Sequence, residues 1–569
     1  MSNILSIHFG IHDLSAALFD DYRVVAAVQQ ERLVRQKKAG GPPQECIDEV
    51  LAIGGLARSD VDQVVLSRAE FPRPLYKAGQ LRRLLDSVQG RSESSRDLST
   101  VMVKTGAKVA SEVIDFSALR DFYDLPGGAP IAFANHHYAH ALPALFYTDW
   151  DNALLYTADG AGDNVNYSHR IFKDGGLTTL FGDDRWLHQP YRIDSLARAY
   201  ANVTEGLGFK PLHHEGKITG LAAYGEATLK KQLQSHFFFD DDGLINSDFA
   251  NGTVMREWIM ELCGQASRED ASASIQEFVE DMIVTSVGRL MESHGVRNLG
   301  LAGGLFANVK LNQRLVENGG VDEVFVMPPM GDEGLVIGGV LEYLLARDGL
   351  EAWLGKRHRL DGVSWGRGFG PETGPRMLAH GNGIYKLNGA AVNTAADLLA
   401  QGKVVAIMSG RMEFGPRALG CRSIMVSPAR REANDSLNQR LDRSEFMPFA
   451  PVIAEEDASD VFDVTDANAY ACRFMTITCG VKAEWAERIP AVVHVDNTAR
   501  PQIIRRNDNP LYYDILAAFK AATGLPAMVN TSFIVHEEPI VNSPEDAARI
   551  LGEDRIDYIV TDDGVYGSD

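Results

Sequence analysis

Between residues 411 and 443 the chain carries seven arginines, Arg411, Arg417, Arg422, Arg430, Arg431, Arg440 and Arg443, and no lysine. A planar guanidinium offers paired N–H donors that match phosphate and carboxylate oxygens, whereas lysine supplies a mobile point charge. In a chain of net charge −22 such a cluster points to a bound anion. Gly410, Gly415, Pro416 and Gly420 interleave with the arginines, which suits a backbone wrapped round a ligand. A solvated basic face paired with Glu413, Glu432, Asp435, Asp442 and Glu445 is the plainer alternative.

A second set of reactive residues lies in the amino-terminal half. In NHHYAH, His136 and His140 stand four apart, which on a helix puts both imidazoles on one face within reach of a single cation. Alone, such a pair is more often two surface histidines. Asp159, at the end of the run ALLYTA, and Asp332, between the glycines of PPMGDEG, add two carboxylates. Two imidazoles with two carboxylates suit Fe, Zn or Mn better than Ca or Mg. AGGLFANVKLN at 302–312 sets paired glycines between a strand and a helix, exposing N–H groups to an anion, although a tight turn accounts for the same glycines. Lys217 in HEGKITGLAAYG is either a phosphate contact or a solvated loop lysine. Pro211 and Ile218 exclude a Walker A loop there. His12 in HDLSAAL has an ordinary pKa suited to proton transfer at neutral pH, with Asp13 placed to orient it; a buried, hydrogen-bonded histidine is the alternative. GVSWG at 362–366 matches a nucleophile elbow but lacks the preceding apolar strand, so Ser364 is rejected as a nucleophile.

These residues need elements to hold them. Apolar runs at 4–10, 153–158 and 299–302 each end in a glycine-rich or acidic turn, so strands deliver the functional loops. KVVAIM at 403–408 and AMVNTSF at 527–533 read as further strands, and 272–293 as an amphipathic core helix. The glycine-rich, charged stretch 355–374 marks a domain boundary, and 86–100 a surface excursion. A chain of 569 residues exceeds what one core usually serves, so two or more domains are expected. The acidic balance opposes nonspecific binding to nucleic acid or anionic membrane. Five scattered cysteines fit reduced thiols, and no apolar run spans a bilayer, so a cytoplasmic chain is expected.

GRMEFGPRALGCRS at 410–423 resembles the signature of the O-carbamoyltransferases that modify nodulation factors, aminoglycosides, cephems and other natural products. FMPFAPVI at 446–453, HVDNTARPQ at 494–502, NTSFIVHEEPIV at 530–541 and QQERLVRQKK at 29–38 extend the likeness over nearly the whole chain. The resemblance implies an α/β chain with an actin-like (ASKHA, Kae1-like) domain over 1–354, a linker over 355–374 and a YrdC-like α/β domain over 375–569. It implies a divalent metal, usually assigned as iron, on His136, His140, Asp159 and Asp332. It implies ATP, with Mg, at Lys217, Gly303, Gly304 and Asn308, and His12 with Asp13 as the base. Arg411, Arg417, Arg422, Ser423, Arg443, Arg500, Asn530 and Ser532 become the donor site where ATP and carbamoyl phosphate form carbamoyl adenylate. The carbamoyl group then passes to a hydroxyl of a small natural-product or sugar acceptor. Gln29, Gln30, Lys38, Cys421, Met447, Ile534, His536 and Glu537 depart from the family pattern. The rival readings are a threonylcarbamoyl-adenylate enzyme acting on tRNA and a noncatalytic actin-like nucleotide-binding regulator. Neither the acceptor nor the oligomeric state, a homodimer included, follows from the sequence.

Overall fold

The computed structural model describes residues 2–10, 12–79, 95–189, 192–318, 320–442, 448–535 and 537–569. Two five-stranded sheets in the amino-terminal half repeat one plan. The first runs laterally Arg23–Gln29, Ser15–Asp20, Asn3–His8, Gln63–Ser67, Ile131–Ala134. Its first three strands pair antiparallel and the last two join in parallel. The second runs Gly176–Phe181, Val165–Lys173, Asn152–Gly162, Asn298–Ala302, Glu323–Val326, with the same alternation of pairings. This doubled order is the actin-like arrangement that the resemblance implied.

Parallel strands require crossovers, and the helices that follow the last strand of each sheet meet at the centre. They are His136–Phe146 and Leu335–Asp348. Gly338 makes the crossing possible, because a Cβ there would lie 1.6 Å from the carbonyl oxygen of Ala139. Each sheet's first hairpin turn and each central helix's amino end therefore point to one place.

The carboxyl-terminal half is also α/β. Its eight strands run Ile384–Lys386, Gly564–Ser568, Tyr558–Thr561, Val405–Met408, Arg422–Val426, Ala527–Ser532, Ala450–Ala454, Gln502–Ile504. Its core is continuous with that of the second amino-terminal sheet, from Leu154 to Tyr566. The expected core helix is present as Arg268–His294. The polar stretch 355–374 lies close against both halves. Leu360 and Val363 are buried, Leu360 N donates to Tyr470 Oη at 2.7 Å, and Ala27 N donates to Trp365 O at 3.2 Å. Most of the expected excursion at 86–100 lies outside the described residues.

Candidate metal and transfer site

His136 and His140 stand on the first turns of their helix, Asp159 in the first hairpin of the second sheet, and Asp332 just before the helix Leu335–Asp348. Their ligating atoms all lie within 4.8 Å of one another. His140 Nε2 is 3.1 Å from Asp159 Oδ2 and 3.5 Å from Asp332 Oδ1; His136 Nε2 is 3.5 Å and 3.6 Å from the same carboxylates. Burial opposes charge on His136, yet Asp332 and Asp159 raise it to about 9. Burial likewise works against Asp159, and the two imidazoles hold it well below the usual carboxylate range. A divalent ion would displace those protons and meet four donors of the type that Fe, Zn and Mn prefer. His136 Nε2, buried and with no hydrogen-bond partner of its own, fits that use. His137 does not join: its ring nitrogens face Thr157 Oγ1 at 2.7 Å and Val165 O at 3.0 Å.

A cavity of about 740 Å3 opens beside the cluster, lined by His8, His12, Lys38, Gly304, Asn308 and Glu333 among others. His12 Nδ1 lies 3.0 Å from Asp13 Oδ2, and Lys38 Nζ donates to that same oxygen at 2.7 Å. Burial lowers His12, but the hydrogen bond to Asp13 and the charge of Asp332 outweigh it and raise the group to about 9. Burial pushes Glu333 up to about 7. Gly303, at φ +99°, lies so close to the neighbouring strand that a Cβ would come within 2.2 Å of Ala158 O. Asn308 exchanges side-chain hydrogen bonds with Gln276 at 2.8 and 3.1 Å and accepts from Leu311 N at 3.0 Å. Lys217 is buried, with Nζ 5.9 Å from the Phe209 ring centroid; its helical neighbours Gly216 and Thr219 line the cavity.

The carboxyl-terminal residues divide by task. Arg411 donates to the carbonyls of Gly366 at 2.9 Å, Val25 at 2.8 Å and Trp365. Arg422 is fully buried and donates to the carbonyls of Ser409 at 2.9 Å, Cys421 at 2.8 Å and Arg367 at 3.2 Å. Both guanidiniums brace the loop from inside. Replacing Arg422 by methionine strands three carbonyls, so we expect a loss of about 2–4 kcal/mol in unfolding free energy, read from the urea midpoint. Ser423 Oγ accepts from Gly420 N at 3.0 Å and pairs across the sheet with Ser532. Asn530 donates to Ala418 O at 3.1 Å and to Gln502 Oε1 at 2.6 Å. Arg417 and Arg500 are half-buried, and Arg443 lies outside the described residues.

The tip of the loop reaches the other half. Gly415 O accepts from Arg32 Nη2 at 2.7 Å, Gly415 N donates to Gln29 Oε1 at 3.1 Å, and Pro416 lines the cavity. A Cβ on Gly415 would sit 3.3 Å from Cα of Pro329, three residues before Asp332. Arg32, within the stretch 29–38 that resembles the family pattern, is 2 % exposed and bonded across this junction. Arg35 adds donations to Ile540 O at 2.6 Å and Pro539 O at 2.9 Å.

Two site residues escaped the sequence reading. His8 Nε2 is 3.9 Å from Asp332 Oδ2, and burial pushes its pKa down to about 4 although Asp332 opposes. Its signal was its place at the end of the first strand, beside the turn that carries His12. Glu413 is 1 % exposed and accepts from Leu419 N and Cys421 N at 2.7 Å, shaping the arginine loop from its centre.

Residues 3–341 match the family model Carbamoyltransferase N-terminus, and residues 396–567 match Carbamoyltransferase C-terminus. The chain belongs to the carbamoyltransferase family. It is 31% identical to Nodulation protein NolNO of Sinorhizobium fredii, over 97% of this chain and 78% of that one. Nodulation protein U of the same organism is 32% identical over 98% and 97% of the two chains. Among solved structures, full-length HypF in the phosphate- and nucleotide-bound form aligns with 61% of this chain and 56% of its own, at 14% identity and a TM-score of 0.37. As a carbamoyltransferase the protein is an enzyme, and none of its described helices is long and apolar enough to cross a membrane.

Proposed function

We propose that this carbamoyltransferase is an ATP-dependent O-carbamoyltransferase working in two steps. Residues 375–569 form carbamoyl adenylate: water cleaves carbamoyl phosphate to carbamate and phosphate, and a carbamate oxygen then attacks the α-phosphorus of ATP, releasing pyrophosphate. Residues 1–354 then transfer the carbamoyl group to a hydroxyl of a small natural-product or sugar acceptor, releasing AMP. The observation that carries the reading is the single cavity onto which His136, Asp159 and Asp332 of the four-donor cluster, His12 and the Gly304–Asn308 loop open.

In the transfer step the acceptor oxygen attacks the carbamoyl carbon, the bond to the adenylate phosphate breaks, and the acceptor proton needs a base. His12 has Nδ1 committed to Asp13, leaving Nε2 for that proton. Asp13 fixes the ring, and Lys38, on the same carboxylate oxygen, keeps Asp13 from neutralising the imidazolium alone. A divalent metal on His136, His140, Asp159 and Asp332, iron by resemblance, would polarise the carbamoyl carbonyl or the adenylate phosphate. Gly303, Gly304 and Asn308, with Lys217 nearby, are the proposed nucleotide contacts. Arg417, Arg500 and Ser532 are the proposed ligand-facing donor residues, on a frame braced by Arg411, Arg422 and the buried Asn530.

Pyrophosphate release from ATP that depends on carbamoyl phosphate tests the first step. Arg417→Ala is expected to reduce it by about 10²-fold or more, the usual loss for one preorganised donor facing developing charge. Release that ignores carbamoyl phosphate, or that survives the substitution, would sink the donor-site assignment. The tRNA-modifying reading predicts instead tight tRNA binding, which the net charge of −22 opposes.

A further inference from the structure

The amino end of the helix that carries both histidines is gripped by three acids from three separate elements. Asp163 Oδ2 accepts the main-chain N–H of His136 at 2.6 Å, and its other oxygen accepts the Ser99 hydroxyl. Asp184 Oδ1 accepts Asn135 Nδ2 at 3.1 Å, and Glu342 Oε2 accepts Asn135 N at 2.9 Å. Arg68, on the cavity wall, ties two of these acids together. It donates to both oxygens of Asp184 at 2.7 and 3.2 Å and lies 3.7 Å from Asp163 Oδ2. The Asn135 side chain caps the same turn by accepting from Tyr138 N at 2.9 Å. A helix leaves its first N–H groups without intrahelical partners, and a carboxylate there both satisfies one and favours the dipole.

We infer that Asp163 is a positioning residue for His136: by holding its main-chain N–H, it sets where the imidazole meets Asp159 and Asp332. The inference rests on the metal reading above and adds a residue outside the ligand set. Asp163 also occupies a left-handed turn, at φ +46° and followed by Asn164 at φ +68°, which an Asp fills for purely local reasons. The two roles separate experimentally. Asp163→Gly keeps the turn at no steric cost but removes the acceptor, whereas Asp163→Asn keeps both the turn and an acceptor oxygen.

The test is titration of the purified full chain with Co(II) alone, following its visible ligand-field bands, with thermal midpoints recorded for each variant. Partners that orient metal ligands typically contribute 10–100-fold in affinity. Asp163→Gly is expected to weaken Co(II) binding by about that factor and to alter the bands, with Asp163→Asn restoring most of both. His140→Ala serves as the ligand-loss control. Equal affinity and bands in wild type and Asp163→Gly would overturn the inference and leave the metal reading standing. Failure of the wild type itself to bind would overturn both.

Discussion

Gly162→Ala is expected to abolish metal binding at the proposed site while leaving the fold in place. A Cβ at Gly162 would come within 2.1–2.6 Å of three atoms of the His136 ring, including Nε2. The obstacle is the end of a side chain, so the backbone need not move; the ring must. His136 is buried, with its Nε2 already directed at Asp159 and Asp332, so any rotation that clears the methyl removes a ligand. Misplacing a reacting group by about 1 Å can cost ~10²-fold in rate, and we expect at least that loss in transfer. Metal content after dialysis, measured beside a circular-dichroism melt, is the direct check. Wild-type metal content in a well-folded variant would show that His136 is not a ligand.

His12→Gln is expected to slow carbamoyl transfer by about 10²–10⁴-fold, the range for losing a general base. Pyrophosphate formation should be untouched, because His12 is held by Asp13 in the amino-terminal half, whereas adenylate formation is proposed for residues 375–569. The pH profile carries a sign. A base works deprotonated, so the transfer rate should rise with pH and level off above the pKa of His12. Burial lowers that pKa, but Asp13 and Asp332 raise it to about 9 when no cation sits beside Asp332. A divalent ion on Asp332 offsets one of those anions, so the metal-loaded midpoint should fall below 9 and climb as metal is withdrawn. A flat profile, or one unchanged by the substitution, would assign the proton to another group. The raised pKa also favours the folded metal-free protein below pH 6.5, a contribution lost as pH rises through about 9.

The amino-terminal site was legible in the sequence because its chemistry sits at strand ends and helix starts, where short motifs fix local geometry. His136 and His140 share a helical face by spacing alone, and Asp159 follows an unmistakable apolar run. His8 was harder to see: its meaning comes from the approach of Asp332, more than 300 residues away. The arginines were the reverse case. Their number signalled an anion, but composition cannot tell a guanidinium facing a ligand from one turned inward on carbonyls. Arg411 and Arg422 proved to be of the second kind. The stretch 355–374, read as a domain boundary from its glycine and charge, also carries contacts that this composition does not announce: Leu360 and Val363 are buried, and Arg367 reaches Glu49 through two hydrogen bonds of 2.6 and 2.7 Å.

The shared core and the arginine staples also bear on how such a chain can be made. Arg32 and Arg35 emerge early in synthesis, but their carbonyl partners lie at Gly415, Pro539 and Ile540. Val324, on the edge strand of the second sheet, donates its N–H to Ala467 O at 2.9 Å. A ribosome that has delivered the first 350 residues has therefore produced two sheets whose edge and core still await the rest. Such a nascent intermediate exposes unpaired strand and apolar surface for the seconds that translation of the remainder takes. A gene split at the obvious boundary should accordingly yield fragments that aggregate singly and recover only when produced together.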